Sequence, residues 1–150
     1  MISGLFESHL KVSDLKRSVA FYSEVLGLDI CYEDADRKLC FFWVGGVQKS
    51  MLGLWEAPEE ANISQHVAFQ TSKEWILHES VEHLNKHGVS SYNFLRDRDF
   101  GPMVFAWMPA LSIYFNDPDG HVLEYISILP GEPKSDLGVI SYEHWMELNV

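Results

Sequence analysis

Cysteine, positive charge and long apolar runs are what this 150-residue chain has least of. Its two cysteines, Cys31 and Cys40, are spaced neither as a CxxC redox pair nor as a zinc knuckle, so they read as apolar filler in a reducing interior, with a disulfide across a hairpin as the alternative. Eleven Lys and Arg stand against 22 Asp and Glu, giving a formal charge of −11, which excludes nucleic acid and anionic membrane surfaces as default partners. No segment approaches the roughly 18 apolar residues that a membrane span requires. The N-terminal MISGLFESHLKVSD lacks a basic region followed by an apolar stretch, so no signal peptide is expected, and the location read from these features is cytoplasmic.

Apolar and aromatic residues are abundant: 47% of the chain is hydrophobic and 13% is Phe, Trp or Tyr. That is too apolar for a disordered chain, and the length suits one domain that builds its core without disulfides.

The residue pattern runs through two similar cycles. Phe6–Val12 reads as a short strand. Ser13 or Asp14 can cap the helix that follows, Leu15, Val19, Tyr22 and Leu26 form its apolar stripe, and Gly27 closes it. Leu28–Tyr32, Lys38–Val44 and Ser50–Trp55 are strand-like and separated by acidic or glycine turns. Ala57–Asn62 reads as a connector. The cycle restarts with Gln65–Thr71 as a strand, a helix opened by Thr71 and Glu74 at capping-box spacing, a stripe of Leu77, Val81 and Leu84, and Gly88. Strand material continues in Val89–Leu95, Phe105–Trp107, Leu111–Asn116 and Val122–Ile128. This internal repeat predicts an α+β fold in which modules 5–57 and 64–129 each run strand, helix, strand, strand, strand. Residues 130–150 form a C-terminal extension, with a polar linker and then a short helix carrying Tyr142, Trp145 and Met146, expected to pack on the other half or on another subunit.

Seven histidines are present, and His9 and His66 stand out because each lies in an apolar strand that enters a helix. His78, His83 and His87 read as solvent-facing helix residues. The tight turn Asp117-Pro118-Asp119-Gly120 re-aims the chain so that Glu124 shares a strand face with Val122 and Ile126. A buried carboxylate there needs a partner, and two imidazoles with one carboxylate suit iron, manganese, nickel, zinc or a similar divalent ion. The alternative is that the histidines are isolated strand residues and Glu124 faces water.

His9 followed by Asp14-Leu15, Ser18, Phe21-Tyr22 and Leu26-Gly27, then His66-Val67-Ala68-Phe69, then Tyr114-Phe115 with Asp117-Pro118-Asp119-Gly120-His121 and Glu124 resembles the vicinal oxygen chelate superfamily. This group contains glyoxalase I, fosfomycin-resistance proteins, bleomycin-binding proteins and extradiol dioxygenases. The resemblance covers residues 6–128. It implies two tandem βαβββ modules forming a cupped mixed sheet around a divalent metal held by His9, His66 and Glu124, in a homodimer acting on a small molecule through vicinal oxygens.

Within the group, the departures guide the choice. Glyoxalase I adds a glutamate ligand on the last strand of the first module, where this chain has Gly53; Glu56 substitutes only if a bulge turns it inward. Extradiol dioxygenases carry a tyrosine ten residues before the ligand glutamate, matched by Tyr114, but also an acid/base histidine where this chain has Phe105-Ala106-Trp107. Fosfomycin-resistance enzymes share the stretch matched by Ser112 to His121 and hold a phosphonate with cations; Arg96 and Arg98 are candidates here, although Tyr125–Pro133 contains no basic residue. The expectation is a metalloenzyme of the dioxygenase or glyoxalase-lyase type, with a fosfomycin-resistance-like thiol transferase or hydrolase, or a non-enzymatic binder, as the alternatives. Tyr114 and Glu56 are the candidate catalytic groups, and Arg96, Arg98 and Trp107 the candidate substrate contacts.

Overall fold

A computed structural model describes residues 1–97 and 101–149. The chain divides into two compact units: the first comprises residues 1–65 with the turn 117–121, and the second comprises the rest of the described chain.

The first unit runs β1 (Glu7–Val12), α1 (Leu15–Glu24), β2 (Asp29–Asp34), β3 (Leu39–Val44) and β4 (Ser50–Glu56). Its sheet order is β1-β4-β3-β2, with β1 parallel to β4 and the other pairs antiparallel. Leu10, Val12, Leu52 and Leu54 alternate onto the face that packs under α1, and all are buried. Asp14 caps α1 by accepting the Arg17 N–H at 2.9 Å. The helix buries Ser18, Phe21 and Tyr22, a face turned from the predicted stripe of Leu15, Val19, Tyr22 and Leu26. The reason is polar: Ser18 and Tyr22 donate hydroxyl hydrogen bonds to Asp119 and Asp117 of the turn, at 3.2 and 3.0 Å.

The second unit repeats the plan: β5 (His66–Gln70), α2 (Lys73–His78), α3 (Ser80–Lys86), β6 (Ser91–Tyr92), β7 (Met103–Phe105), β8 (Ala110–Asn116) and β9 (Val122–Ile128). β5 lies parallel to β9, which pairs antiparallel with β8, and β8 carries both β6 and β7. First strand beside last is the topology of the first unit, so the repeat extends to strand order. The predicted second helix is two short helices meeting at Glu79, opened by Ser72 rather than Thr71. It buries Ile76, Ser80 and Leu84. Ser80 tolerates burial because its hydroxyl donates to the Ile76 carbonyl at 2.9 Å, which satisfies it locally. The strand expected over Val89–Leu95 contracts to two residues.

The extension adds β10 (Val139–Ser141) antiparallel to β7 and α4 (Tyr142–Glu147), capped by Ser141. Trp145 is buried within this second unit, so the helix packs on its own module. Among the described residues there are two mixed sheets, one of four strands and one of six in which β6 pairs with β8 off the path β10-β7-β8-β9-β5, consistent with tandem βαβββ modules. Both cysteines are free thiols, and burial pushes Cys40 up to about 12.

Candidate metal and substrate site

In the second unit, strand register collects the site residues. β8 and β9 are joined by the Asp117–His121 turn, and the antiparallel register sets Tyr114 directly opposite Glu124. The ten-residue separation in sequence therefore becomes a cross-strand pair. Parallel pairing of β5 with β9 sets His66 opposite Val122, one diagonal step from Glu124. The His66 Nε2–H donates to Glu124 Oε2 at 2.9 Å. Tyr114 meets the His66 ring edge-on at 5.7 Å.

Glu124 is the polar centre of this face. Its side chain is 5% exposed, whereas His66 is half exposed, and Glu124 Oε1 is buried without a hydrogen-bond partner. A carboxylate oxygen left unpaired at such depth is costly unless a cation or donor is supplied. Burial, reinforced by the Glu124 charge, pushes the Tyr114 phenol well above its usual range and keeps it protonated.

The sequence reading did not single out Tyr92. It pairs with Tyr114 across β6 and β8, and the rings stack at 5.8 Å. Its hydroxyl is buried with no hydrogen-bond partner, and the Arg96 guanidinium sits 4.2 Å from its ring centroid. A tyrosine at a strand end beside the Arg96 loop was the available signal. Phe94 bridges Tyr114 and Phe105, and Trp107 is exposed beside Phe105. Arg98 lies outside the described residues.

In the first unit, His9 lies on β1 opposite Gly53 of β4. Its Nδ1 accepts the Trp55 indole N–H at 2.8 Å, and its Nε2–H faces the Glu7 carboxylate. Phe41 packs edge-on to both rings. Gly53 is required by this packing: a Cβ there would stand 2.6 Å from the Phe41 ring. His9, Lys11, Trp55, Ala57, Ile63 and Gln65 line a cavity of about 640 Å³.

Glu56 also lines that cavity, but its register is continuous with Gly53 and has no bulge. It therefore shares the face of Leu54 rather than that of His9 and Gly53. Its carboxylate accepts the Leu15 N–H at 3.1 Å and pairs with Lys38 at 2.5 Å; the Lys38 hydrogen bond, with that N–H, holds it below the usual carboxylate range. The structure thus engages Glu56 with a helix start and a lysine.

Among the described residues, no three His, Cys, Asp or Glu side chains are grouped to hold a metal ion. His9 lies in the first unit, and the His66–Glu124 pair lies in the second.

The Asp117–His121 turn is held by the first unit. Asp119 accepts from Ser13 N–H and Oγ–H at 2.8 and 2.5 Å, and pairs with Arg17 at 3.1 Å. His121, fully buried, accepts the Gln65 N–H on Nδ1 and donates Nε2–H to the Lys11 carbonyl, at 3.1 and 2.7 Å. Both ring nitrogens are thus used structurally.

Comparison with known proteins agrees with this architecture. Metallothiol transferase FosB of Staphylococcus haemolyticus is 31% identical over 134 residues, covering 83% of each chain. An integron cassette protein from the mobile metagenome of the Halifax Harbour sewage outfall is 37% identical, with a TM-score of 0.74 over 85% of this chain and 100% of its own. The fosfomycin resistance protein FosX of Listeria monocytogenes is 29% identical with a TM-score of 0.65, over 83% of this chain and 91% of its own. Residues 7–125 match the family model, and the chain belongs to the Glyoxalase/Bleomycin resistance protein/Dioxygenase superfamily.

Proposed function

We propose that this protein is a divalent-metal-dependent enzyme of the metallothiol-transferase type, acting on a small, oxygen-rich substrate such as a phosphonate. The observation that carries the metal is the buried, unpartnered Oε1 of Glu124 beside His66, an arrangement that a cation satisfies. His66 and Glu124, with His9, are the residues that would hold it. Iron, manganese, nickel and zinc all suit the donor set. The bound ion would supply Lewis acidity toward a substrate oxygen.

The named relatives favour the thiol-transferase or hydrolase alternative over the dioxygenase or glyoxalase-lyase reading. Two features of the chain support the same choice. Gly53 brings no carboxylate to the position where glyoxalase I carries a ligand, and no histidine stands at 105–107 for dioxygenase proton transfer. In this reading Tyr114, protonated and facing Glu124, donates a hydrogen bond to a substrate oxygen as negative charge develops on it. Arg96, beside Tyr92, offers a cation to an anionic group, with Arg98 as a second candidate, and Trp107 with Phe94 and Phe105 offers apolar surface. Glu56 supports the His9 strand through Leu15 and Lys38 in place of a ligand role. The assembly is proposed to be a homodimer in the reducing cytoplasm.

The test is to incubate the protein with fosfomycin, manganese or zinc, and a panel of cellular thiols, and to follow adducts by mass spectrometry. A thiol adduct that requires metal and is lost in Glu124→Ala is expected. No adduct or hydrated product, together with oxygen uptake on catechols, would return the dioxygenase reading.

A further inference from the structure

His9 is bonded in a way that bears directly on metal loading. An indole N–H can only donate, so the Trp55–His9 contact at 2.8 Å makes Nδ1 the acceptor and the nitrogen with the available lone pair. A neutral imidazole has one such nitrogen, so the ring proton resides on Nε2, where it meets the Glu7 carboxylate. Neither nitrogen can then give a lone pair to a cation while the indole bond persists. If Nε2 is to coordinate, its proton must transfer to Nδ1, where it opposes the indole N–H head-on. If Nδ1 is to coordinate, the indole must leave. Both routes break the same hydrogen bond, and the ring keeps one proton throughout.

The surroundings hold this state in place. The His9 and Trp55 rings are near-parallel, 20° apart with centroids 5.8 Å apart, and Phe41 abuts both edge-on. Gly53 gives Phe41 the room to do so. Trp55 is half-buried and lines the same cavity as His9.

We infer that Trp55 and the metal ion compete for His9, so that Trp55 is a positioning residue that latches the imidazole until a cation displaces it. The inference rests on the proposed metal role of His9.

The experiment compares zinc affinity, by calorimetry on metal-free protein, in wild type, Trp55→Phe and His9→Ala. Phenylalanine keeps the stacked ring and removes only the donor. Trp55→Phe is expected to bind zinc roughly three- to tenfold more tightly, the fold-change of one ordinary hydrogen bond. The wild-type Trp55 indole N–H resonance is expected to shift as zinc is added, which needs no variant to fold. His9→Ala separates the two layers of the argument. If His9→Ala weakens zinc binding more than tenfold while Trp55→Phe leaves affinity unchanged or lower, or while the indole resonance stays put, the latch is wrong and the metal reading stands. If His9→Ala leaves zinc affinity unchanged, the role of His9 as a ligand fails and the latch fails with it.

Discussion

Glu124 sets a cost in stability against its proposed chemical role. Its carboxylate is buried on a sheet face, has His66 on one oxygen and leaves the other unpaired. A buried carboxylate with one oxygen unpaired carries a desolvation cost that an apolar side chain of similar size does not. Glu124→Met is therefore expected to raise the thermal midpoint of the metal-free protein, by an amount corresponding to about 1–2 kcal/mol. The half-exposed His66 keeps access to water in that variant. The same variant should lose the stabilisation that added manganese or zinc gives to wild type. Calorimetric scans with and without metal check both, and a Glu124→Met protein that is less stable without metal would show that Glu124 is structural. Glu124 was legible because a tight turn and a period of two fix which residues share a face, whereas Tyr114 was singled out by the family resemblance. Tyr92 was not legible, since its place depends on β6 pairing with β8 across a long loop.

At the scale of elements, the repeat was readable because apolar periodicity and glycine stops recur in both halves. Helix faces were less so. Ser18 and Ser80 are buried, and polar residues inside a stripe are visible only once Asp119 and the Ile76 carbonyl are known as partners. The Glu56 position turned on the absence of a bulge, which no residue type in Met51–Glu56 announces. The turn from Asp117 to His121 is the element whose energetics are most testable. Burial raises the Asp119 pKa, but Ser13 and Arg17 outweigh it and hold the group below its ordinary value of 3.8. Its contribution to folding is thus complete above that pH and is lost as pH falls through the lower folded-state value. Asp117 runs the other way, since burial raises it. In the difference between wild type and Asp119→Asn, the Asp117 effect cancels to first order. That difference is expected to be about 1–3 kcal/mol near neutrality and to shrink below about pH 4, measured by urea unfolding across pH. A difference that stays constant into acid would remove Asp119 from the account.

For the whole molecule, the −11 charge that argued against anionic partners suits a protein that gathers a cation. The proposed ligands divide between the two units, His9 in one and His66 with Glu124 in the other. A homodimer in which each site takes His9 from one chain and the pair from the other makes a specific prediction. Co-expressed His9→Ala and Glu124→Ala chains would form mixed dimers with one intact site, recovering up to half the metal capacity of those dimers. Sites built within single chains would recover none.

The central claim, that His66 and Glu124 anchor a divalent metal, is tested most directly by titrating the metal-free protein with manganese and zinc. The account predicts one ion per chain, with affinity reduced at least tenfold in both His66→Ala and Glu124→Ala while each variant stays folded. Stoichiometric binding that survives both substitutions, or no binding by the wild type, would contradict it.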